Sequence, residues 1–208
     1  MRVICISANE FEENAYLVIR GDNVVIIDPG FNAEKIEYYL DNNGLKPHEI
    51  LLTHGHIDHF GETDKLIDKY GPLNVYIGEM DVPLLTNKDL NCARTFKMNG
   101  ILKNIKNVIP VENNEEIDGF TFHATPGHTQ GSMVISISEL LFTGDTLFAG
   151  SVGRTDLPTG SLSAMNRSLR FIVTSFSKAT TIFPGHYSKT TLKNEIEKNQ
   201  FIKQLKKE

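Results

Sequence analysis

Short apolar runs rich in β-branched residues open the chain, at residues 3–6, 16–19 and 24–27, and read as strands. Gly21-Asp22-Asn23 between the second and third is a hairpin signal, and Asp28-Pro29-Gly30 stops the third. The period then changes to that of a helix. Ile36, Tyr39 and Leu40 share one face of a helix running to about Asn43, with Asn32 placed to cap its start and Gly44 to close it. Residues 50–52 form a short buried strand that leads straight into a histidine-rich loop. A helix over 61–70, ended by Gly71-Pro72, and a strand over 74–77 follow. Residues 81–96 read as one or two short helices.

The second half repeats this order. Strands are expected at 108–111, 120–124, 133–137 and 140–143, then a helix over 162–176, a strand at 181–183 and a last helix from about Leu192. Strands first and helices after, twice over, predict an α+β chain of two β-rich halves packed sheet on sheet with helices on the outer faces. No linker rich in Pro, Gly and Ser interrupts the sequence, so residues 1–208 are expected to form a single domain. A chain of this size buries about 70% of its surface on folding, enough for a core without disulfides.

Composition narrows the partners. The formal charge of −5 has the sign that repels nucleic acid, and no apolar run approaches the roughly 18 residues of a membrane span. Cys5 and Cys92 lie far apart and fit no CxxC pattern, as expected in a reducing compartment. The apolar start, residues 1–8, is too short for a signal peptide and runs into the acidic stretch 9–13. A first strand and a cytoplasmic location are therefore expected.

The chemistry concentrates in Thr53-His54-Gly55-His56-Ile57-Asp58-His59, directly after a predicted strand. Neutral imidazoles with a nearby carboxylate are a metal-ligand set, and in a tight turn His54 and His56 project to one side while Asp58 and His59 reach a second position. Two half-sites from six residues suggest two metals. Completing ligands are available in His128, Asp145 and His186, each just past a predicted strand in a Gly-containing turn, so all can converge on one sheet edge. His48 reads as a surface residue in a polar loop, and His123 as a strand histidine or a contact behind the ligands. Asp28, Thr53 and Thr143 are placed to orient ligands.

With these motifs, from Asn14-x-Tyr16 and Asp28-Pro29-Gly30 to Pro184-Gly185-His186, the chain resembles the metallo-β-lactamase superfamily and, within it, short glyoxalase II-like hydrolases. The resemblance implies an αββα sandwich with a two-metal site between the sheet edges. It implies one metal on His54, His56 and His128, another on Asp58, His59 and His186, and Asp145 bridging both. Zinc is the first expectation, with iron or manganese as alternatives. Two such ions lower the pKa of a shared water towards 7. The expected reaction is hydrolysis of a small, lactoylglutathione-like thioester by a metal-bridging hydroxide, with Asp58 and Asp145 as catalytic carboxylates.

The segment Gly153-Arg154-Thr155-Asp156 is similar to that of short glyoxalase II-like enzymes and of persulfide dioxygenases. Arg154 can hold an acidic substrate group or pin the loop, and Tyr187 is a second candidate for the substrate pocket. Full-length glyoxalase II enzymes add a C-terminal helical region with basic contacts for glutathione; here one last helix is expected, its Lys193, Lys198, Lys203, Lys206 and Lys207 forming a solvated face. The competing function is a mononuclear iron persulfide dioxygenase, with His54, His128 and Asp145 as ligands and His56 outside the set.

Overall fold

The computed structural model describes residues 1–7 and 12–205; the acidic stretch after the first strand lies partly outside them, as do Lys206 and Lys207. The first half supplies β1 (Arg2–Ser7), β2 (Asn14–Arg20), β3 (Asn23–Ile27), α1 (Ala33–Asn42), β4 (Lys46–Leu52), α2 (Ile57–Phe60), α3 (Thr63–Tyr70), β5 (Asn74–Gly78) and β6 (Val108–Val111). They form a sheet in the order β1-β2-β3-β4-β5-β6, antiparallel up to β3 and parallel from β3 to β6.

The second half supplies β7 (Glu116–Ile117), β8 (Phe120–Ala124), β9 (Met133–Ile137), β10 (Leu140–Gly144), β11 (Leu147–Phe148), β12 (Ser151–Val152), α4 (Leu162–Ser175), β13 (Thr181–Pro184), β14 (Thr190–Thr191), α5 (Leu192–Lys198) and α6 (Gln200–Leu205). Its sheet runs β14-β13-β10-β9-β8-β7, with only β10 and β13 parallel neighbours.

Strand periodicity builds the layers. Alternate residues of β2, β3 and β4 (Leu17, Ile26, Ile50, Leu52) pack with Ile36 and Leu40 of α1 and Leu66 of α3. The residues between them (Tyr16, Val18, Val25, Ile27, Leu51) meet Phe120, Phe122, Ile135, Phe142 and Phe183 of the second sheet. Val134, Leu141 and Ile182, on that sheet's far face, lie under Met165, Leu169 and Ile172 of α4. The result is the expected αββα sandwich, with both sheets buried on both faces.

Strand direction then fixes where a site can form. β3, β4 and β5 end at one edge of the first sheet, and β8, β10 and β13 end at one edge of the second. The loops after these carboxyl ends carry all the candidate ligands.

Several local expectations change. β6 closes the first sheet beside β5 rather than opening the second, because the long 79–107 connection returns it parallel. Residues 81–96 form no α-helix; a 3-10 segment Glu79–Thr86, which contains Pro83, is followed by turns. β4 starts at Lys46, so exposed His48 stands in a strand, where its Nδ1 accepts the Val24 N–H at a register shift. Asn32 precedes α1 but does not cap it: its amide donates to Glu13, and the Glu62 carboxylate accepts the Ala33 N–H instead. The final helix is two, α5 and α6, broken at Asn199. Lys193 and Lys198 are exposed and Lys203 is half-buried. Both cysteines are free.

Candidate metal centre

Close approach of backbone explains the glycines around the site. Gly55 separates His54 from His56, and a Cβ there would lie 2.6 Å from Leu84 Cβ. His56 then opens α2, whose single turn carries Asp58 and His59. Gly144 (φ +47°) turns the chain out of β10 before Asp145, against Thr53.

These turns bring all seven candidate ligands together. His54, His56 and His128 place one nitrogen each within 4.8 Å of one another; Asp58, His59 and His186 make a second such group, and His54, His59 and Asp145 a third that joins them. Asp145 spans the two halves. Its Oδ1 lies 3.4 Å from His59 Nε2 and 3.6 Å from His186 Nε2, while its Oδ2 lies 3.5 Å from His128 Nε2. Asp58 Oδ2 is 3.5 Å from His186 Nε2.

The site fits a cation on its own terms. His54 Nε2, His56 Nε2, His59 Nε2 and Asp145 Oδ1 are buried without a hydrogen-bond partner, and His56 Nδ1 faces His128 Nε2 at 2.8 Å. Polar atoms left unpaired in a core are costly, so this concentration marks a binding site. Burial, reinforced by the neighbouring imidazoles, holds His54 well below the ordinary histidine value; burial and His128 bring His56 down to about 3. Both stay neutral, as ligation requires. Burial disfavours charge on Asp145 as well, but His186, His59 and His128 outweigh it and hold the carboxyl well below its usual range. Around His59 burial is overturned by Asp145, Asp28 and Asp58, which raise its pKa well above the usual value.

Partners behind the ligands set their orientation. Asp28 accepts from the Thr53 N–H (2.8 Å), the Thr53 hydroxyl (2.6 Å) and His59 Nδ1 (3.0 Å), tying the end of β4 to α2. His128 Nδ1 donates to the Arg154 carbonyl at 2.8 Å, which leaves Nε2 for the site. Asn14 donates to the carbonyls of Pro184 and Tyr187, and the Tyr16 hydroxyl to that of Pro184, so β2 holds the His186 turn. The Thr143 hydroxyl donates to the Leu147 carbonyl and steadies the turn that carries Asp145. His123 is a half-buried strand residue that bonds Ser136 and packs on Phe171 and Phe176. Asp81, which no motif in the sequence marks, is wholly buried behind Gly55 and the His128 loop. Its signal is positional, since it follows β5, the parallel neighbour of β4.

A cavity of about 520 Å³ opens onto the cluster, walled in part by Cys92, Phe96, Phe148, Val152, Leu157 and Tyr187. The Phe148 ring packs edge-on against both His186 and Tyr187. Arg154 borders the cavity, but its guanidinium makes a two-pronged ion pair with exposed Asp156. The GRTD loop thus acts on the site through backbone. Gly153 packs directly on the Asp145 carbonyl with no room for a side chain, and Arg154 supplies the carbonyl for His128.

The sandwich and the His/Asp cluster at its edge define a metallo-hydrolase architecture. Residues 8–186 match the family model of the metallo-β-lactamase superfamily, and the chain belongs to that superfamily. It is 32% identical over 202 residues to the Bacillus subtilis protein named "Probable metallo-hydrolase YqgX", covering 92% of each chain. It is also 32% identical to hydroxyacylglutathione hydrolase GloC of Haemophilus influenzae, over 97% of this chain and 98% of that one. The solved structure of TTHA1623 in a di-iron-bound form superposes with a TM-score of 0.87 at 36% identity, covering 95% of this chain and 99% of the other.

Proposed function

We propose that the chain is a two-metal hydrolase that cleaves a small thioester. The observation that carries this reading is the Asp145 carboxylate, set between the His54/His56/His128 group and the Asp58/His59/His186 group with one oxygen toward each. The first group and Asp145 would hold one ion, the second group and Asp145 the other. When bound, a pair of divalent ions supplies a hydroxide nucleophile at neutral pH and positive charge for the carbonyl oxygen. Zinc is the first candidate, and iron or manganese suits the same donors.

The chain's own residues account for the remaining steps. Asp58, a ligand candidate that also borders the cavity, is held ionised by His59 and His186 against the effect of burial, the charge state in which it would ligate a cation. Phe148, Val152 and Leu157 give the acyl or thiol portion an apolar wall. Tyr187 stands over the cavity with its backbone in the left-handed region (φ +68°), a position for substrate contact. A thiolate leaves without strong acid assistance, which suits a thioester to a site whose polar lining is dominated by the ligand set. GloC, named a hydroxyacylglutathione hydrolase, supports a thioester of that kind as the first substrate to try.

The chain is read as one domain, since the site draws on both sheets, and as a cytoplasmic protein with reduced thiols. No helix among the described residues is long and apolar enough to cross a membrane. The test is thiol release from lactoylglutathione by protein of measured metal content, run beside an oxygen electrode with a persulfide. Thioester cleavage that rises with metal loading and consumes no oxygen is expected. Oxygen uptake with persulfide and no thioester cleavage would replace this reading with the dioxygenase one.

A further inference from the structure

Asp81 is fully buried, and the proposed chemistry gives it no task. Its Oδ2 accepts the Gly55 N–H at 2.9 Å and the Thr129 hydroxyl at 2.6 Å; its Oδ1 accepts the Gly131 N–H at 2.8 Å. Gly55 lies between His54 and His56 on the loop from the first sheet. Thr129 and Gly131 follow His128 on a loop from the second. One carboxylate therefore ties the Gly55 peptide, between His54 and His56, to the Thr129 hydroxyl and the Gly131 N–H on the loop that follows His128. Both loops pack closely on it: a Cβ on Gly131 would sit 2.6 Å from Asp81 Oδ1 and one on Gly55 3.0 Å from the Asp81 carbonyl. All three donors are neutral. A buried carboxylate with only neutral partners is costly, and a cation held by three neutral imidazoles next to it supplies the opposite charge.

We propose that Asp81 is a positioning residue for the His54/His56/His128 half-site: it fixes the spacing of two loops from different sheets and leaves the Asp58/His59/His186 half-site untouched. The inference rests on the two-metal reading above. Asp28 is the counterpart on the other side, since it holds His59 and Thr53.

The test titrates zinc into the metal-free protein by calorimetry. His186→Ala disables one half-site and His56→Ala the other, so the ion that remains reports on a single place. Asp81→Asn keeps the size of the side chain but puts an amide N–H against donors that need an acceptor. In the His186→Ala background it is expected to weaken the remaining zinc by about 10–100-fold. In the His56→Ala background the remaining zinc should change by no more than about twofold. Equal weakening in both backgrounds, the mark of general destabilisation, overturns the proposal, and so does no weakening in either.

Should Asp81→Asn not fold, Thr129→Val removes one donor and leaves both peptide contacts; it should give a smaller loss confined to the same half-site, and a loss elsewhere or none overturns the assignment. Asp64→Asn, which frees a carboxylate holding the Lys103 and Asn104 N–H groups, should leave both zinc affinities unchanged. If zinc affinity at the His54/His56/His128 half-site falls as much in Asp64→Asn as in Asp81→Asn, the proposal fails. Wild-type protein that takes up fewer than two zinc ions removes the two-metal reading and this inference with it. Two ions in wild type with Asp81→Asn indistinguishable removes this inference alone.

Discussion

Gly185→Ala separates the site from the fold around it. Gly185 precedes His186 and does not adopt a left-handed backbone, so alanine is conformationally allowed there. The added methyl would nevertheless lie 2.5 Å from Asp145 Oδ1 and 2.7 Å from His59 Cε1. Ordinary contacts of this kind need about 3.5 Å, so the Asp145 carboxylate or the His59 ring has to retreat by about 1 Å. Overpacking of this size costs about 1–3 kcal/mol of stability, which a melting curve reads. The functional loss is larger in relative terms. A misplacement of about 1 Å in a reacting assembly lowers kcat/KM by about 100-fold, equivalent to about 2.7 kcal/mol of transition-state stabilisation. Metal content should fall below that of wild type, because Asp145 is shared between the half-sites and His59 belongs to one of them. Gly150→Ala is the control: φ is +79° and nothing lies within 4 Å, so it costs about 1–2 kcal/mol of backbone strain and leaves turnover intact. Wild-type metal content and wild-type thioester turnover in Gly185→Ala would show that Asp145 and His59 tolerate the methyl in place.

Three further outcomes follow. Asn14→Ala removes two hydrogen bonds to the His186 turn and should cost about 1–3 kcal/mol and weaken one metal ion, whereas Tyr16→Phe leaves the Pro184 carbonyl paired with Asn14 and should cost about 1 kcal/mol with both ions retained; calorimetric metal titration of the two variants checks this contrast. Phe122→Ala, wholly buried between the sheets, should cost about 3–5 kcal/mol in denaturant melts, and a loss below 1 kcal/mol would contradict the inter-sheet core. In the metal-free protein the His59 pKa is raised, so its stabilising contribution is complete below the unfolded value of about 6.5 and disappears as pH rises through the folded value. The melting temperature of chelated protein should fall from neutral pH upward while that of loaded protein, where His59 is a neutral ligand, does not follow; parallel curves would speak against it.

Much of this architecture is legible in the chain because each layer imposes its own period. Leu17 and Tyr16, or Ile26 and Val25, alternate between two apolar layers, so β2 and β3 stand out as strands with both faces covered. Ile36 and Leu40 show the face α1 presents. The ligands are legible for another reason: His54, His56, His128, Asp145 and His186 stand just past a strand beside a glycine, and Asp58 and His59 complete the motif that begins at His54.

What escaped depends on contacts distant in sequence. Nothing local tells that β6 pairs with β5, or that Glu62 rather than Asn32 caps α1. Pro47 and His48 look like loop residues until β3 offers a shifted partner at Val24. Asp81 shows no motif, since its partners lie on two loops, Gly55 26 residues back and Thr129 and Gly131 48 and 50 residues further along. For Arg154 the sequence leaves substrate binding and loop pinning open; in the fold its guanidinium pairs with Asp156, and what no motif reveals is that its carbonyl faces His128.

Anomalous diffraction from crystals of the metal-loaded protein, collected at the absorption edge of the bound metal, locates the ions themselves. Two peaks are predicted, one among His54, His56 and His128 and one among Asp58, His59 and His186, with the Asp145 carboxylate between them. A single peak, or metal bound only elsewhere on the molecule, would contradict the account.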